Sequence, residues 1–138
     1  MILGHHAHIL KGIEVYKGKV CFYGLCNFMQ VGARERVVSG DHHIARVNKV
    51  KDPGPDWPFY VYHPEARMSM VAKCLITKDG IQQVSYLPVA INGQAQPRIL
   101  PRTDADFEKT VTYMSEITAD YFKTSFTVEG DEVLINTQ

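Results

Sequence analysis

The feature that most limits what this chain can fold into is a succession of strand-like runs joined by tight turns. Ile13 and Val15, then Val20 and Phe22, alternate with polar or smaller residues, the period-two pattern of half-buried strands. Tyr16-Lys17-Gly18-Lys19 lies between them, and Gly18 can adopt the positive φ that a tight hairpin turn requires. Residues 68–77 and 81–89 form a second such pair across Lys78-Asp79-Gly80. A short third pair, 126–128 and 133–135, flanks Glu129-Gly130-Asp131, and Asn92-Gly93 marks a further turn. Only residues 104–122 carry a clear helical period, with Phe107, Val111, Met114 and Tyr121 on one face and Ile117 at its border. Thr103 can cap this helix, and Asp104 and Asp106 complement the positive end of its dipole. The expected fold class is α+β, mostly antiparallel strands with one clear C-terminal helix, in a single unit over 1–138.

Two stretches do not follow this pattern simply. Phe22-Tyr23-Gly24-Leu25-Cys26-Asn27-Phe28 is nearly all apolar, as in a central strand covered on both faces, with Asn27 standing at its end toward a site. Residues 30–66 form a long irregular segment, in which Pro53, Pro55 and Pro58 remove backbone donors. Its aromatic group, Trp57, Phe59, Tyr60 and Tyr62, either contacts a ligand or packs back on the sheet, the second being the simpler reading.

Composition removes several classes of function. Hydrophobic residues make up 45% of the 138 and charged residues 22%, so the chain can bury a core and is not disordered throughout. Fifteen basic residues balance fifteen acidic ones, which leaves no electrostatic footprint for nucleic acid or an anionic membrane. No apolar run is long enough to span a bilayer, and Met1 begins no signal peptide. Cys21, Cys26 and Cys74 are odd in number, and Cys21 and Cys26 are too far apart for a C-x-x-C knuckle. They read as free thiols in apolar strand patterns, which points to a reducing, cytoplasmic setting and away from nucleophilic catalysis. No G-x-S-x-G turn and no phosphate-cradling glycine loop occurs.

The chemistry lies in His5, His6 and His8. In an extended segment His6 and His8 share a face, so both imidazoles can reach one metal ion or two neighbouring ions. Gly4 before them allows the backbone to turn tightly into a site. On its own an H-x-H describes hydrogen-bonded surface histidines equally well. Asp41, His42 and His43 are either a second local metal site or, more simply, a solvated loop; His63 reads as structural. Met1-Ile2-Leu3 running straight into the histidines suggests a start inside a larger fold.

The run Gly4 to Val20 closely resembles the GHHPHVxQxxEVYKGK segment of CapA-like capsule or poly-γ-glutamate synthesis proteins, of the calcineurin-type metallophosphoesterase group. Phe22 to Phe28 resembles that family's FYSLGNF strand. Arg67 to Cys74, the hairpin ending in Leu87-Pro88-Val89 and the helix after Pro101 match its C-terminal layout. The resemblance implies the C-terminal part of a four-layer α/β/β/α sandwich. It also implies a site for divalent metal, manganese, zinc or iron, whose last motif falls on His6 and His8, with His5 a neighbour and not a ligand. Ala7 stands where the family has proline, Gly24 where it has serine and Cys26 where it has glycine, the thiol most simply packing. The family's earlier metal motifs would precede residue 1, and Gly40-Asp41-His42-His43 imitates one of them in the wrong chain order.

Two histidines cannot hold a catalytic pair of ions, so the isolated chain is expected to be inactive. The resemblance then implies a missing N-terminal half, another polypeptide or self-association to complete the site. It leaves the cell envelope open as a location. The alternatives are a non-catalytic binding or structural module derived from that fold, and a small metal-binding α+β domain of unrelated function.

Overall fold

The computed structural model describes residues 1–29, 55–57, 59–60 and 62–137; Asp41, His42 and His43 lie outside the described residues, as does most of the 30–66 segment. Two-residue turns set the register of the hairpins. Strand β1 is Ile2–Leu3, β2 Ile13–Tyr16 and β3 Lys19–Phe22. Tyr16 pairs with Lys19, leaving Lys17 and Gly18 as the loop, and both have positive φ, 48° and 69°. Positive φ at both central residues belongs to the primed turn whose twist matches that of its strands. The resulting register sets Ile13 against Phe22 and Val15 against Val20, so three of these four side chains are buried. β1 pairs in parallel with β3, which makes β3 the middle strand of a sheet ordered β1-β3-β2.

The strand expected to run on through Phe28 stops at Phe22. Tyr23 and Phe28 are exposed, and beyond Phe22 strand pairing persists only as an isolated bridge between Leu10 and Leu25. Cys26 has a φ of 65°, which turns the chain out of an extended course.

The second sheet is antiparallel and is built from β4 Met68–Thr77, β5 Gly80–Ile91, β6 Pro97–Ile99, β7 Phe126–Glu129 and β8 Glu132–Ile135. Its order is β4-β5-β8-β7, with β6 also lying along β5. The turns fall where the glycines stand: Thr77 pairs with Gly80, at φ 109°, and Glu129 pairs with Glu132 around Gly130, at φ 59°. Asn92 closes the β5–β6 connection, its Oδ1 accepting from the backbone N–H groups of Gln94 and Gln96, both at 3.0 Å.

Helix α1 spans Ala105–Ala119, and its cap is Asp104 instead of Thr103. Asp104 is extended at φ −80°, and its carboxylate accepts from Asp106 N–H at 3.0 Å. Phe107, Val111 and Met114 are buried as the period predicts, together with Thr110 and Thr118. Tyr121 departs from expectation. It follows the C-cap Asp120, where the helical period no longer applies, and is 81% exposed.

The two threonines after and within the helix join it to the first sheet. The outward N–H groups of edge strand β2 donate to them, Ile13 to Thr118 Oγ1 at 3.2 Å and Val15 to Thr124 Oγ1 at 3.1 Å. One hydrophobic cluster runs through the assembly, with Ile13 and Phe22 from the first sheet, Met70, Tyr86 and Val133 from the second, and Phe107 and Met114 from α1. The α+β class therefore holds. Among the described residues no helix is long and apolar enough to cross a membrane.

Candidate functional site

The histidine segment leaves β1 through Gly4, which lies flat against the end of β3. Gly4 N–H donates to Phe22 O at 2.6 Å, and Leu25 N–H donates to Gly4 O at 3.2 Å. A Cβ on Gly4 would stand 2.7 Å from the carbonyl oxygens of both Phe22 and Tyr23. Glycine is needed here for close approach of two backbones, which is a different reason from the tight turn expected of it.

Beyond Gly4 the chain is not extended. His6 and His8 both take left-handed backbone, at φ 79° and 54°, so the shared strand face expected for them does not form. Histidine enters this region more readily than most residues, and such conformations persist where the surroundings over-determine them. The bends nevertheless bring the two rings together, with centroids 6.1 Å apart and planes at 46°. His6 is exposed and His8 half-buried, as His5 is exposed beside them. The His8 ring stacks on Tyr62 at 5.3 Å and 24°, and its Nδ1 lies 2.6 Å from Asn27 Oδ1.

Asn27 starts a buried polar chain that reaches away from the histidines. Its Nδ2 donates to Tyr60 Oη at 2.9 Å, and the Tyr60 hydroxyl donates to the Ala66 carbonyl at 2.6 Å. Asn27, Tyr60 and Ala66 are all fully or almost fully buried. Ser69 Oγ holds the Asn27 backbone from below, donating to the carbonyls of Leu25, at 3.2 Å, and of Asn27. Burial pushes the Tyr60 hydroxyl well above its ordinary pKa, so it remains a proton donor. Of the aromatic group, Trp57, Tyr60 and Tyr62 pack back into the core, while Phe59 is exposed. Tyr60 contacts Tyr62 and Trp57 at ring distances of 5.2 and 6.4 Å, and Arg67 caps Trp57 at 3.6 Å from the ring centroid. His63 is structural, its Nδ1 accepting from Glu65 N–H at the start of the 3-10 turn Pro64–Arg67.

Cys26 packs in the core. It is buried, its thiol donates to Ala66 O at 3.4 Å, and burial pushes its pKa up to about 11. The thiolate is the reactive form, so Cys26 is expected to react with iodoacetamide near pH 8 far more slowly than half-buried Cys21 and Cys74. Peptide mapping of the alkylated protein checks this; Cys26 labelled first would contradict it. The sign of the linkage follows. An unfolded chain gives up this proton at lower pH than the folded one, so the contribution to stability falls as pH rises between about 9 and about 11.

His6 and His8 stand as a pair. Among the described residues no group of three or more histidine, cysteine, aspartate or glutamate side chains could hold a metal ion. Asn27 is legible as a polar group aimed at a site, although the strand expected to end on it stops at Phe22; Tyr60 is not, because an aromatic in an irregular segment carries no local sign of a buried polar partner.

Comparison with known proteins falls on this same segment. The family model described as "Bacterial capsule synthesis protein PGA_cap" matches residues 1–31. The "PGA biosynthesis protein CapA" of Bacillus subtilis (strain 168) is 59% identical over 29 residues, which is 21% of this chain and 8% of that protein. The matched stretch thus spans less than a tenth of the relative. The family model takes in Gly4, His6, His8 and Asn27 together.

Proposed function

Residues 1–31 carrying the sequence of a CapA-like capsule synthesis protein, we propose that the chain is the C-terminal portion of such a protein, active in capsule or poly-γ-glutamate synthesis. On this reading His6 and His8 are part of a divalent-metal site, and the completed protein is a metal-dependent, hydrolase-like enzyme of phosphoester type. One observation carries the reading: inside the family-matched segment, strained backbone brings two imidazoles to 6.1 Å, and one of them is held by a buried asparagine.

The donor set fits such an ion in part. Imidazole nitrogen suits zinc, manganese and iron, and ion pairs in two-metal sites stand about 3.5–4 Å apart, within reach of two rings at this spacing. A bound divalent ion supplies Lewis-acid polarisation of a phosphoryl oxygen. What this chain contributes is orientation: Tyr62 and Asn27 fix the plane and rotation of His8, and exposed His6 adapts beside it. The remaining ligands come from a missing N-terminal half, from another polypeptide or from a second copy.

A second reading is a non-catalytic module derived from the same fold. Native mass spectra of the purified chain with and without zinc or manganese separate the two. The wild type is expected to retain metal, and a variant carrying His6→Ala and His8→Ala to lose it. Identical spectra for both proteins would leave the histidines structural and favour the module.

A further inference from the structure

The polar chain that ends on His8 has one consistent direction. The Ala66 carbonyl can only accept, so the Tyr60 hydroxyl 2.6 Å away donates its single proton there. The Tyr60 oxygen is then left to accept, and the Asn27 atom 2.9 Å from it is the amide Nδ2. That orientation turns Asn27 Oδ1 onto His8 Nδ1 at 2.6 Å, and a carbonyl oxygen at this distance requires a proton on Nδ1. In the neutral ring the lone pair then sits on Nε2. Burial makes the argument strict, since Tyr60 is 0% and Asn27 3% exposed and water does not compete for these groups.

We propose that Asn27 and Tyr60 are positioning residues that lock His8 in its Nδ1–H form, so that Nε2 is the nitrogen offered to an ion. The use of Nε2 rests on the metal reading above; the lock itself stands without any ion. The Ala66 carbonyl anchors the far end and Ser69 holds the Asn27 backbone, while His8 itself is held by Asn27 and by the ring of Tyr62. Tyr60 thus acts on His8 through Asn27, from 33 residues further along the chain than its amide partner.

Long-range proton–nitrogen correlation spectra of the nitrogen-15-labelled full chain test this. They would be recorded at about pH 8.5, well above the usual imidazole pKa of about 6.5, with His8 assigned by loss of its signals in His8→Ala. In the wild type His8 is expected as the Nδ1–H form. Tyr60→Phe keeps the ring but removes the acceptor of the Asn27 amide, so both amide orientations open and His8 becomes a mixture of forms. Zinc affinity of that variant is expected to fall by about tenfold, the low end of the effect of outer-shell partners. Wild-type His8 in the Nε2–H form overturns the proposal, as does an unchanged ratio of forms in a folded Tyr60→Phe protein. The Nδ1–H form in a wild type that binds no zinc confirms the lock and removes the metal reading instead. Zinc bound to a wild type whose His8 is Nε2–H does the reverse.

Discussion

Truncating Phe107 to alanine is expected to lower the unfolding free energy by about 3–5 kcal/mol, a large share of the whole for a domain of this size. Phe107 is 0% exposed and sits in the first turn and a half of α1, within the single cluster that joins both sheets. The loss combines the transfer energy of the ring with the cavity left behind, because residues anchored in three different elements cannot all collapse into the space. Tyr121→Ala is the matched control. The sequence period assigns both aromatics to the core face, but Tyr121 lies beyond the C-cap and is 81% exposed, and its truncation should change stability by no more than about 0.5 kcal/mol. Urea denaturation followed by circular dichroism measures both. Equal losses from the two variants would mean that the helix docks by another face than the one described.

Gly4→Ala is expected to cost about 1–3 kcal/mol and, on the proposed metal reading, to weaken metal retention at the same time. The added methyl would meet the carbonyl oxygens of Phe22 and Tyr23 at 2.7 Å, and neither can swing aside as a side chain would. Relief requires the 1–8 segment to lift from β3, breaking the 2.6 Å bond from Gly4 N–H to Phe22 O. His6 and His8 ride on that segment, so their 6.1 Å spacing and the contact of His8 with Asn27 would be disturbed together. Thermal unfolding and native mass spectra on one sample distinguish the effects. A stable Gly4→Ala protein with undiminished metal would show that the segment is not held by this close approach.

Much of the fold was legible because it is encoded locally. Alternation at Ile13, Val15, Val20 and Phe22, with Gly18 between them, specifies a hairpin and its register without reference to the rest of the chain. The same is true of Gly80 and Gly130, whose positive φ values sit at the turns expected of them. The α1 face is legible through Phe107, Val111 and Met114, while Thr110 and Thr118 escape because a threonine buried by a hydrogen bond looks polar in any window. The candidate ligands are legible as the histidines His5, His6 and His8, which the resemblance narrows to His6 and His8. Their geometry is not, since an H-x-H alone does not distinguish an extended segment from one bent into left-handed backbone at His6 and His8.

The sequence by itself determined the α+β class, the hairpin turns, the core face of the helix and the segment that carries the histidines, because each depends on neighbours within a turn or a strand. Tertiary structure alone decided that Ile13 donates to Thr118, 105 residues away, that β1 lies parallel to β3, and that Tyr60 closes the polar chain on Asn27 and His8. These pairings arise when separately formed elements dock and every buried donor must find an acceptor. No local period records which distant group will stand opposite.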